Sequence, residues 1–247
     1  MFCCIQEEQL NLESFMKELE LIVAKYDLLC HPFYRAWSAG ELTREDLREY
    51  ACEYYHHVQA FPSYLAQFAA RLENSALRCA VLANMMDEQG TNGVEQKRSH
   101  AELWLDFAEG MGANRGKLAS PQTPEMTALT QYFTTVARER SPEEALAAFF
   151  VYESQVPRVA EEKARGLRTF YGADEKTCSY FTLHMTADVY HARVWHQQLA
   201  TRLKESSGQK ESVLATAEGA AKALWSALDG IEQRRMQRTL GTACGSH

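Results

Sequence analysis

The stretch YFTLHMTADVYHARVWH (residues 180–196) has the spacing of an amphipathic α-helix, but one of its faces carries polar residues. His184, Asp188 and His191 are spaced i, i+4 and i+7, so a helix places all three on one face. Trp195, which we interpret as a packing residue, lies along the same stripe and predicts that this face is buried. The segment therefore predicts a helix that carries two imidazoles and a carboxylate into a core.

Three further acidic or histidine residues meet the same test, because each shares a helical stripe with apolar residues. These residues are Glu88, His100 and Glu153. With the three residues of the first segment they form a predicted set of three carboxylates and three imidazoles that point inward.

Each member of this set has an ordinary explanation when taken alone. A single inward histidine is usually hydrogen-bonded in a core, and a single inward glutamate usually pairs with an arginine, here Arg158 or Arg193. Six together are harder to explain, because buried carboxylates without cations are costly and HMTADVYH contains no lysine or arginine. Three carboxylates offset most of the charge of two divalent ions. Carboxylate and imidazole donors without thiolates favour iron or manganese over structural zinc.

Two competing ligand sets are less well supported. A ferritin-like di-iron site uses two Glu-x-x-His motifs, and only one such spacing occurs here, from Glu53 to His56. We interpret Glu53, His56 and His57 as a polar belt among aromatic residues. Glu95 lies nearer to His100 in sequence than Glu88 does, but it stands in a polar, glycine-containing loop without an apolar stripe.

Helical periodicity dominates the whole chain, and no segment shows convincing strand alternation. The pattern predicts about seven helices with short connections, packed as one all-α bundle over residues 1–247. We expect loose ends at 1–10 and 238–247. Thr43 and Asp46 have the spacing of a helix N-cap box, and residues 142–169 are predicted as one helix.

Composition excludes several classes of function. The net charge is −7 with no extended basic cluster, so nucleic acid is not an expected partner. The longest apolar run, ALAAFFVY at 145–152, is far too short to span a membrane, and the N-terminus lacks the features of a signal peptide. The seven cysteines are scattered without a CxxC pair, which favours a reducing cytoplasm. Four of them are expected as small core residues: Cys30, Cys52, Cys79 and Cys178.

Several segments resemble one family in the same order along residues 20–200. The segments are HPFYRAWSAGELT, YYHHVQAFPSYLA, NMMDEQG, HAELWLDFAEGMG, YESQVPRVAEEKARGLRTFYG and HMTADVYHARVWH. They resemble the haem-oxygenase-like dimetal oxidases, and within these the para-aminobenzoate synthases related to the chlamydial protein associating with death domains. The resemblance implies a seven-helix bundle like haem oxygenase but without haem, within the broader group of TenA-like and PqqC-like proteins.

The resemblance also implies roles for individual residues. The six inward-facing residues correspond to the family's metal ligands, for an Fe/Mn or Fe/Fe pair that uses O₂ and a reductant. Members of this group make para-aminobenzoate for folate synthesis from one of their own tyrosines. By this likeness Tyr34 is the tyrosine consumed, Lys163 donates the amino nitrogen, and Tyr152 and Tyr180 are redox-active or auxiliary. The sequence itself puts Tyr152 and Tyr180 beside ligands, whereas the roles of Tyr34 and Lys163 rest on the resemblance alone.

Two alternatives stay open at this point. One is a dimetal oxidase of the same fold that acts on a separate small substrate, such as an amino or fatty acid. The other is a metal-free relative of the PqqC or TenA type, or an interaction protein. The likeness implies a homodimer, whereas binding of host death domains belongs to the chlamydial member and is not transferred. The loop between Glu88 and His100 is longer than in the relatives, which we expect to loosen access to the site or to misplace Glu88.

Overall fold

The protein is described here by a computed structural model that covers residues 2–73, 75–91, 97–118, 121–205 and 209–244. These residues form ten α-helices, two short 3₁₀ turns and no β-strand. The helices are α1 (Phe2–Lys25), α2 (Pro32–Ala39), α3 (Arg44–Arg71), α4 (Ala76–Glu88), α5 (His100–Gly110), α6 (Pro124–Glu139), α7 (Pro142–Glu153), α8 (Val156–Tyr171), α9 (Glu175–Glu205) and α10 (Lys210–Cys244).

The all-α class predicted from the sequence is confirmed, whereas the number of seven helices is wrong for the described residues. The expected loose ends also differ from the structure, since α1 begins at Phe2 and α10 continues to Cys244. Met1 and residues 245–247 lie outside the described residues.

One predicted helix, 142–169, is divided in two at Ser154 and Gln155. Pro157 explains the break, because proline lacks an N–H and is accommodated best in the first turn of a helix, where it stands in α8. The break has a consequence for the site, since it makes Glu153 the last residue of α7.

Local capping sequences begin the helices at the positions that the site needs. The box of Thr43 and Asp46 is confirmed at the start of α3. A second box, formed by Ser99 and Glu102, begins α5 and makes His100 its first residue. The histidine is therefore held at a helix start whose backbone hydrogen bonds are satisfied by side chains.

Helix α9 is central to the arrangement, because it packs against α5, α7 and α8. Helix α3 packs against α4, α5 and α6, and α10 covers α6 and α7. These contacts bury the apolar faces of the helices. None of the described helices is both long enough and apolar enough to cross a membrane. The middle of α9 therefore faces the ends of α4, α5 and α7.

The cysteines follow the prediction only in part. Cys178 is buried and Cys52 is half-buried, but Cys30 and Cys79 are exposed and are not core residues. All four are free thiols.

Candidate metal centre

The six residues selected from the sequence lie together in two groups of three, and all six are buried. Within each group one candidate ligand atom of every residue lies within 4.8 Å of the others. We call the first group the nitrogen-rich triad; it contains Glu88, His100 and His184. We call the second group the carboxylate-rich triad; it contains Glu153, Asp188 and His191.

Helix ends supply half of the set. Glu88 is the last residue of α4, Glu153 is the last residue of α7, and His100 is the first residue of α5. The other three residues project from successive turns of α9. The ends of three helices around one long helix can hold six polar side chains close together without interrupting the backbone hydrogen bonds of α9.

The described ends of the loop between Glu88 and His100 lie close together. Gly90 adopts a φ of +68°, and its carbonyl accepts a hydrogen bond from the backbone N–H of Lys97 at 2.9 Å. A Cβ at this position would lie 2.3 Å from the Lys97 carbonyl oxygen, so glycine is required there. The expectation that this loop misplaces Glu88 is wrong, because Glu88 Oε2 lies 2.9 Å from His100 Nδ1. Residues 92–96, including the rival ligand Glu95, lie outside the described residues.

The nitrogen-rich triad has the geometry of ligands that share an ion. Nδ1 of His184 lies 2.7 Å from the carbonyl oxygen of Tyr180, so this nitrogen donates and Nε2 keeps its lone pair for the centre. Nδ1 of His100 is buried and lacks a hydrogen-bond partner in the described structure, although a Glu88 oxygen lies only 2.9 Å away. Two donors on one ion, each about 2.1 Å from it, lie roughly 3 Å apart at a right angle.

In the carboxylate-rich triad, Glu153 is held by two side chains. Asn84 Nδ2 donates to Glu153 Oε1 at 2.9 Å, and the indole N–H of Trp195 donates to Glu153 Oε2. His191 Nδ1 lies 3.4 Å from Asp188 Oδ1 and 3.6 Å from Glu153 Oε1. Its other ring nitrogen lies 3.3 Å from a carboxylate oxygen of Asp87, whose side chain is 37% exposed.

Without a cation, these carboxylates and imidazoles shift one another's protonation. Burial raises the pKa of Glu153 well above its usual range. Burial also disfavours ionised Glu88, but the charge of nearby His100 outweighs it and lowers the pKa of Glu88. Burial lowers the pKa of His191, whereas the Asp188 hydrogen bond and the Glu153 charge raise it to about 9 overall. In the described part of the chain, the ion-pair partners of these carboxylates are histidines. Bound protons therefore compensate the negative charge of the two triads. The donor set fits divalent metal ions, which would replace those protons.

The structure corrects three sequence interpretations around Glu153. Arg158 does not pair with it, because both of its short contacts go to the carboxylate of Asp27, and Arg193 is exposed. Trp195 is more than a packing residue, since it donates to the Glu153 carboxylate. Asn84 was missed, although it lies one turn before Glu88 on the buried face of α4 and this spacing was available.

The Glu53–His56 spacing does not form part of a metal site. Glu53 is buried against Arg234 at 3.0 Å and accepts the backbone N–H of Thr123. His57 is enclosed by aromatic rings, of which Tyr152 is nearest at 4.9 Å between centroids. The interpretation as a polar residue among aromatic residues is confirmed for His57.

A second buried cluster brings together Tyr34 and Lys163, which the sequence alone leaves 129 positions apart. Lys163 Nζ donates to Tyr34 Oη at 2.8 Å and to Tyr50 Oη at 2.5 Å, and the two phenol oxygens lie 3.0 Å apart. The amine also lies 4.2 Å from the centroid of the Tyr34 ring. Burial lowers the pKa of Lys163 well below its ordinary value, which favours the neutral amine. We call Tyr34, Tyr50 and Lys163 the lysine–tyrosine cluster.

Tyr152 and Tyr180 lie between this cluster and the triads. Both line a cavity of about 20 Å³ that Tyr34 and Lys163 also line, and both line a second small cavity beside the triads. The Tyr180 ring stacks on His184 with a centroid distance of 4.0 Å. Tyr54, a buried tyrosine that sequence reasoning did not select, lines the first cavity together with Tyr152 and Tyr180. A set of neighbouring phenols therefore lies between the two buried regions.

The fold and these clusters define a class: an all-helical protein whose core holds two adjoining groups suited to metal ions. The chain belongs to the iron-containing redox enzyme family, whose model matches residues 48–225.

Named relatives place the chain among enzymes. It is 34% identical over 236 residues to a 4-aminobenzoate synthase of Chlamydia trachomatis serovar D, covering 95% of this chain and 96% of the relative. It is also 34% identical over 232 residues to a 4-aminobenzoate synthase of Nitrosomonas europaea, covering 89% and 92%.

Solved structures support the haem-oxygenase-like fold. One is a domain of unknown function with a heme oxygenase-like fold from Shewanella denitrificans, with a TM-score of 0.76 and 16% identity over 92% of this chain and 94% of that one. Another is a TenA homologue from Pseudomonas syringae, with a TM-score of 0.71 and 15% identity over 90% and 92%.

Proposed function

We propose that the protein makes 4-aminobenzoate, the para-aminobenzoate named above, in an O₂-dependent reaction at two metal ions. The ring comes from its own Tyr34 and the amino nitrogen from Lys163. The metal pair is iron with manganese or two irons, and an external reductant supplies electrons. The naming of two relatives at 34% identity as 4-aminobenzoate synthases supports this product.

The observation that carries the proposal is the contact between Lys163 and Tyr34. The amine nitrogen lies 2.8 Å from the phenol oxygen, inside a core where both side chains are buried. A buried lysine without a carboxylate partner is costly to keep, and nothing in helix packing requires it. Its position next to one particular phenol is what amine transfer to that ring needs.

The product dictates which bonds of Tyr34 must change. Relative to a tyrosine side chain, 4-aminobenzoate has a C–N bond where the ring carried its C–O bond. It also has a carboxylate where the chain had Cβ. The Cα–Cβ bond must therefore break, and Cβ must be oxidised, with O₂ as the oxidant. The Nζ–Cε bond of Lys163 must break as well: the phenol oxygen leaves as water, and O₂ oxidises Cε to an aldehyde. The neutral Lys163 amine has a free electron pair, and it lies beside the ring carbon that exchanges its C–O bond for a C–N bond. Tyr50 holds that amine by a second hydrogen bond.

The residues of the two triads would hold the metal ions, which when bound supply O₂ activation and one-electron redox chemistry. The protein's part lies in orientation and exclusion of water. The Tyr180 carbonyl fixes the tautomer of His184, Asn84 and Trp195 orient Glu153, and aromatic rings surround the path between the regions. Tyr180 and Tyr152 are suited to pass an electron and a proton from the lysine–tyrosine cluster, because they contact both regions.

The size of the cavity favours a substrate that is already part of the chain. The cavity between the triads and Lys163 measures about 20 Å³, which accommodates one water molecule. Pockets for separate small substrates measure about 300–1,000 Å³. An amino acid or fatty acid therefore fits this cavity poorly, whereas Tyr34 already lines it.

Mass spectrometry of one aerobic reaction tests the proposal. Protein grown with ¹⁵N-labelled lysine is incubated with iron, manganese and a reductant in air, and we expect ¹⁵N-labelled 4-aminobenzoate. The yield should not exceed about one product per chain, with a matching loss of mass at Tyr34. Unlabelled product, or many turnovers from one chain, would overturn the proposal.

Substitutions assign the two roles separately. Tyr34→Phe and Lys163→Met should abolish the product while both metal ions are retained, because neither residue contacts a triad. Lys222→Met, at an exposed lysine of α10, is the matched control and should give the wild-type yield. A variant Tyr34→Phe that still forms product would point to a separate substrate.

A further inference from the structure

The two triads differ in donor chemistry. The nitrogen-rich triad offers two imidazole nitrogens and one carboxylate, whereas the carboxylate-rich triad offers two carboxylates and one imidazole. With neutral imidazoles, the formal charge is −1 in the first triad and −2 in the second. The two positions are therefore unequal before any metal ion binds.

Their surroundings increase this difference. Both oxygens of Glu153 accept a hydrogen bond, one from Asn84 and one from Trp195. A carboxylate held at both oxygens has fixed orientation and fewer free lone pairs, so it keeps its place when an ion arrives. We call Asn84 and Trp195 the glutamate clamp.

The two triads have different neighbours, although residues of both line the small cavity beside Tyr152 and Tyr180. His184 stacks on Tyr180, and His100 contacts His184 edge to face at 4.5 Å between centroids. His191 instead contacts Asp87, which is partly exposed. An ion in the nitrogen-rich triad would lie next to the phenol that connects to the lysine–tyrosine cluster.

Ligand preference turns this asymmetry into a choice of metal. Affinity of nitrogen and oxygen sites rises from Mn²⁺ to Fe²⁺, imidazole suits iron, and carboxylate suits manganese. The affinity for iron therefore exceeds that for manganese by a larger factor in the triad that has two imidazoles. With one equivalent of each ion per chain, the favoured distribution puts iron in the nitrogen-rich triad even though iron binds either triad more tightly.

We infer that, when one equivalent of each ion is shared, the two triads bind different ions: the nitrogen-rich triad takes Fe²⁺ and the carboxylate-rich triad takes Mn²⁺. The glutamate clamp is a positioning device that maintains the second site. This inference rests on the proposed dimetal function, and it adds which ion occupies which triad.

Anomalous X-ray scattering tests the assignment. Crystals are prepared without oxygen from protein loaded with one equivalent each of Fe²⁺ and Mn²⁺, and data are collected on both sides of the iron and manganese absorption edges. We expect an iron signal between Glu88, His100 and His184 and a manganese signal between Glu153, Asp188 and His191. Equal mixtures in both positions, or the reverse order, would overturn the inference and leave the dimetal function standing. An absence of metal at both positions would instead overturn the dimetal function.

Variants of the clamp test its part independently of catalysis. Trp195→Phe and Asn84→Ala should weaken Mn²⁺ binding at the carboxylate-rich triad roughly tenfold or more and leave Fe²⁺ binding at the other triad unchanged. Manganese binding is followed by electron paramagnetic resonance and iron by metal analysis. Trp225→Phe, a half-buried tryptophan that contacts Tyr26 and His31, is the matched control. Equal weakening of both ions, or of neither in either clamp variant, would contradict a role specific to the carboxylate-rich triad.

Discussion

The triads and the lysine–tyrosine cluster are both buried and polar, but they balance charge in opposite ways. The triads combine carboxylates with imidazoles, and they keep an excess of negative charge that a cation can neutralise. In the lysine–tyrosine cluster, no described carboxylate contacts Lys163, and its polar partners are two phenols. The first region is suited to hold cations, and the second is suited to keep an amine uncharged. Tyr152 and Tyr180 lie between the two regions and would connect them in the proposed reaction.

The largest effect is expected from the triads. Asp188→Asn removes one of the two negative charges of the carboxylate-rich triad, and we expect metal affinity there to fall at least 10–100-fold. The product should fall below about 1% of the wild-type yield, since the oxidant is then lost. Metal analysis and product quantification measure both, with Glu161→Gln at an exposed position of α8 as the control. Full metal occupancy in Asp188→Asn would show that the negative charge of the carboxylate-rich triad is not needed to hold a metal ion.

The pH dependence of stability sharpens the contrast from the side of Lys163. Burial lowers its pKa below the ordinary 10.5, so between these two pKa values the unfolded chain binds more protons than the folded chain. The free energy of unfolding should rise with pH across this window, by at most about 1.4 kcal/mol per pH unit. Lys163→Met should lack this contribution.

Urea unfolding of the wild type and of Lys163→Met, from neutral pH to about pH 10, measures the difference between the two profiles. Lys176→Met, at an exposed lysine, should keep the wild-type rise. A difference between the wild type and Lys163→Met that does not change with pH would mean that Lys163 is charged in the fold.

A smaller effect is expected where the two regions meet. Tyr180→Phe keeps the ring that stacks on His184 but removes the phenol hydroxyl, the group that can pass an electron and a proton. We expect the yield or rate of product to fall roughly tenfold, equivalent to about 1.4 kcal/mol, with metal content unchanged. The free energy of unfolding should change by only about 1 kcal/mol. Wild-type product kinetics in this variant would exclude the Tyr180 hydroxyl from the connection.

The two regions also differ in how visible they are in the sequence. The triad residues lie on apolar stripes, so helical spacing selects all six without any knowledge of contacts. Tyr34, Tyr50 and Lys163 carry no such signal, because an aromatic residue in a core and a lysine in the charged run EEKAR are ordinary features. Only the resemblance pointed to two of them, and Tyr50 was not selected at all.

The sequence by itself determined the helical class, the N-caps that begin α3 and α5, and the six polar residues that must face inward. These are local properties, set by side-chain spacing and by hydrogen bonds within a few residues. Tertiary structure decided which three residues share each triad, that Asn84 and Trp195 hold Glu153, and that Lys163 meets Tyr34 across 129 positions. These contacts depend on how α2, α4, α7, α8 and α9 pack, and the periodicity of any one helix carries no information about its neighbours.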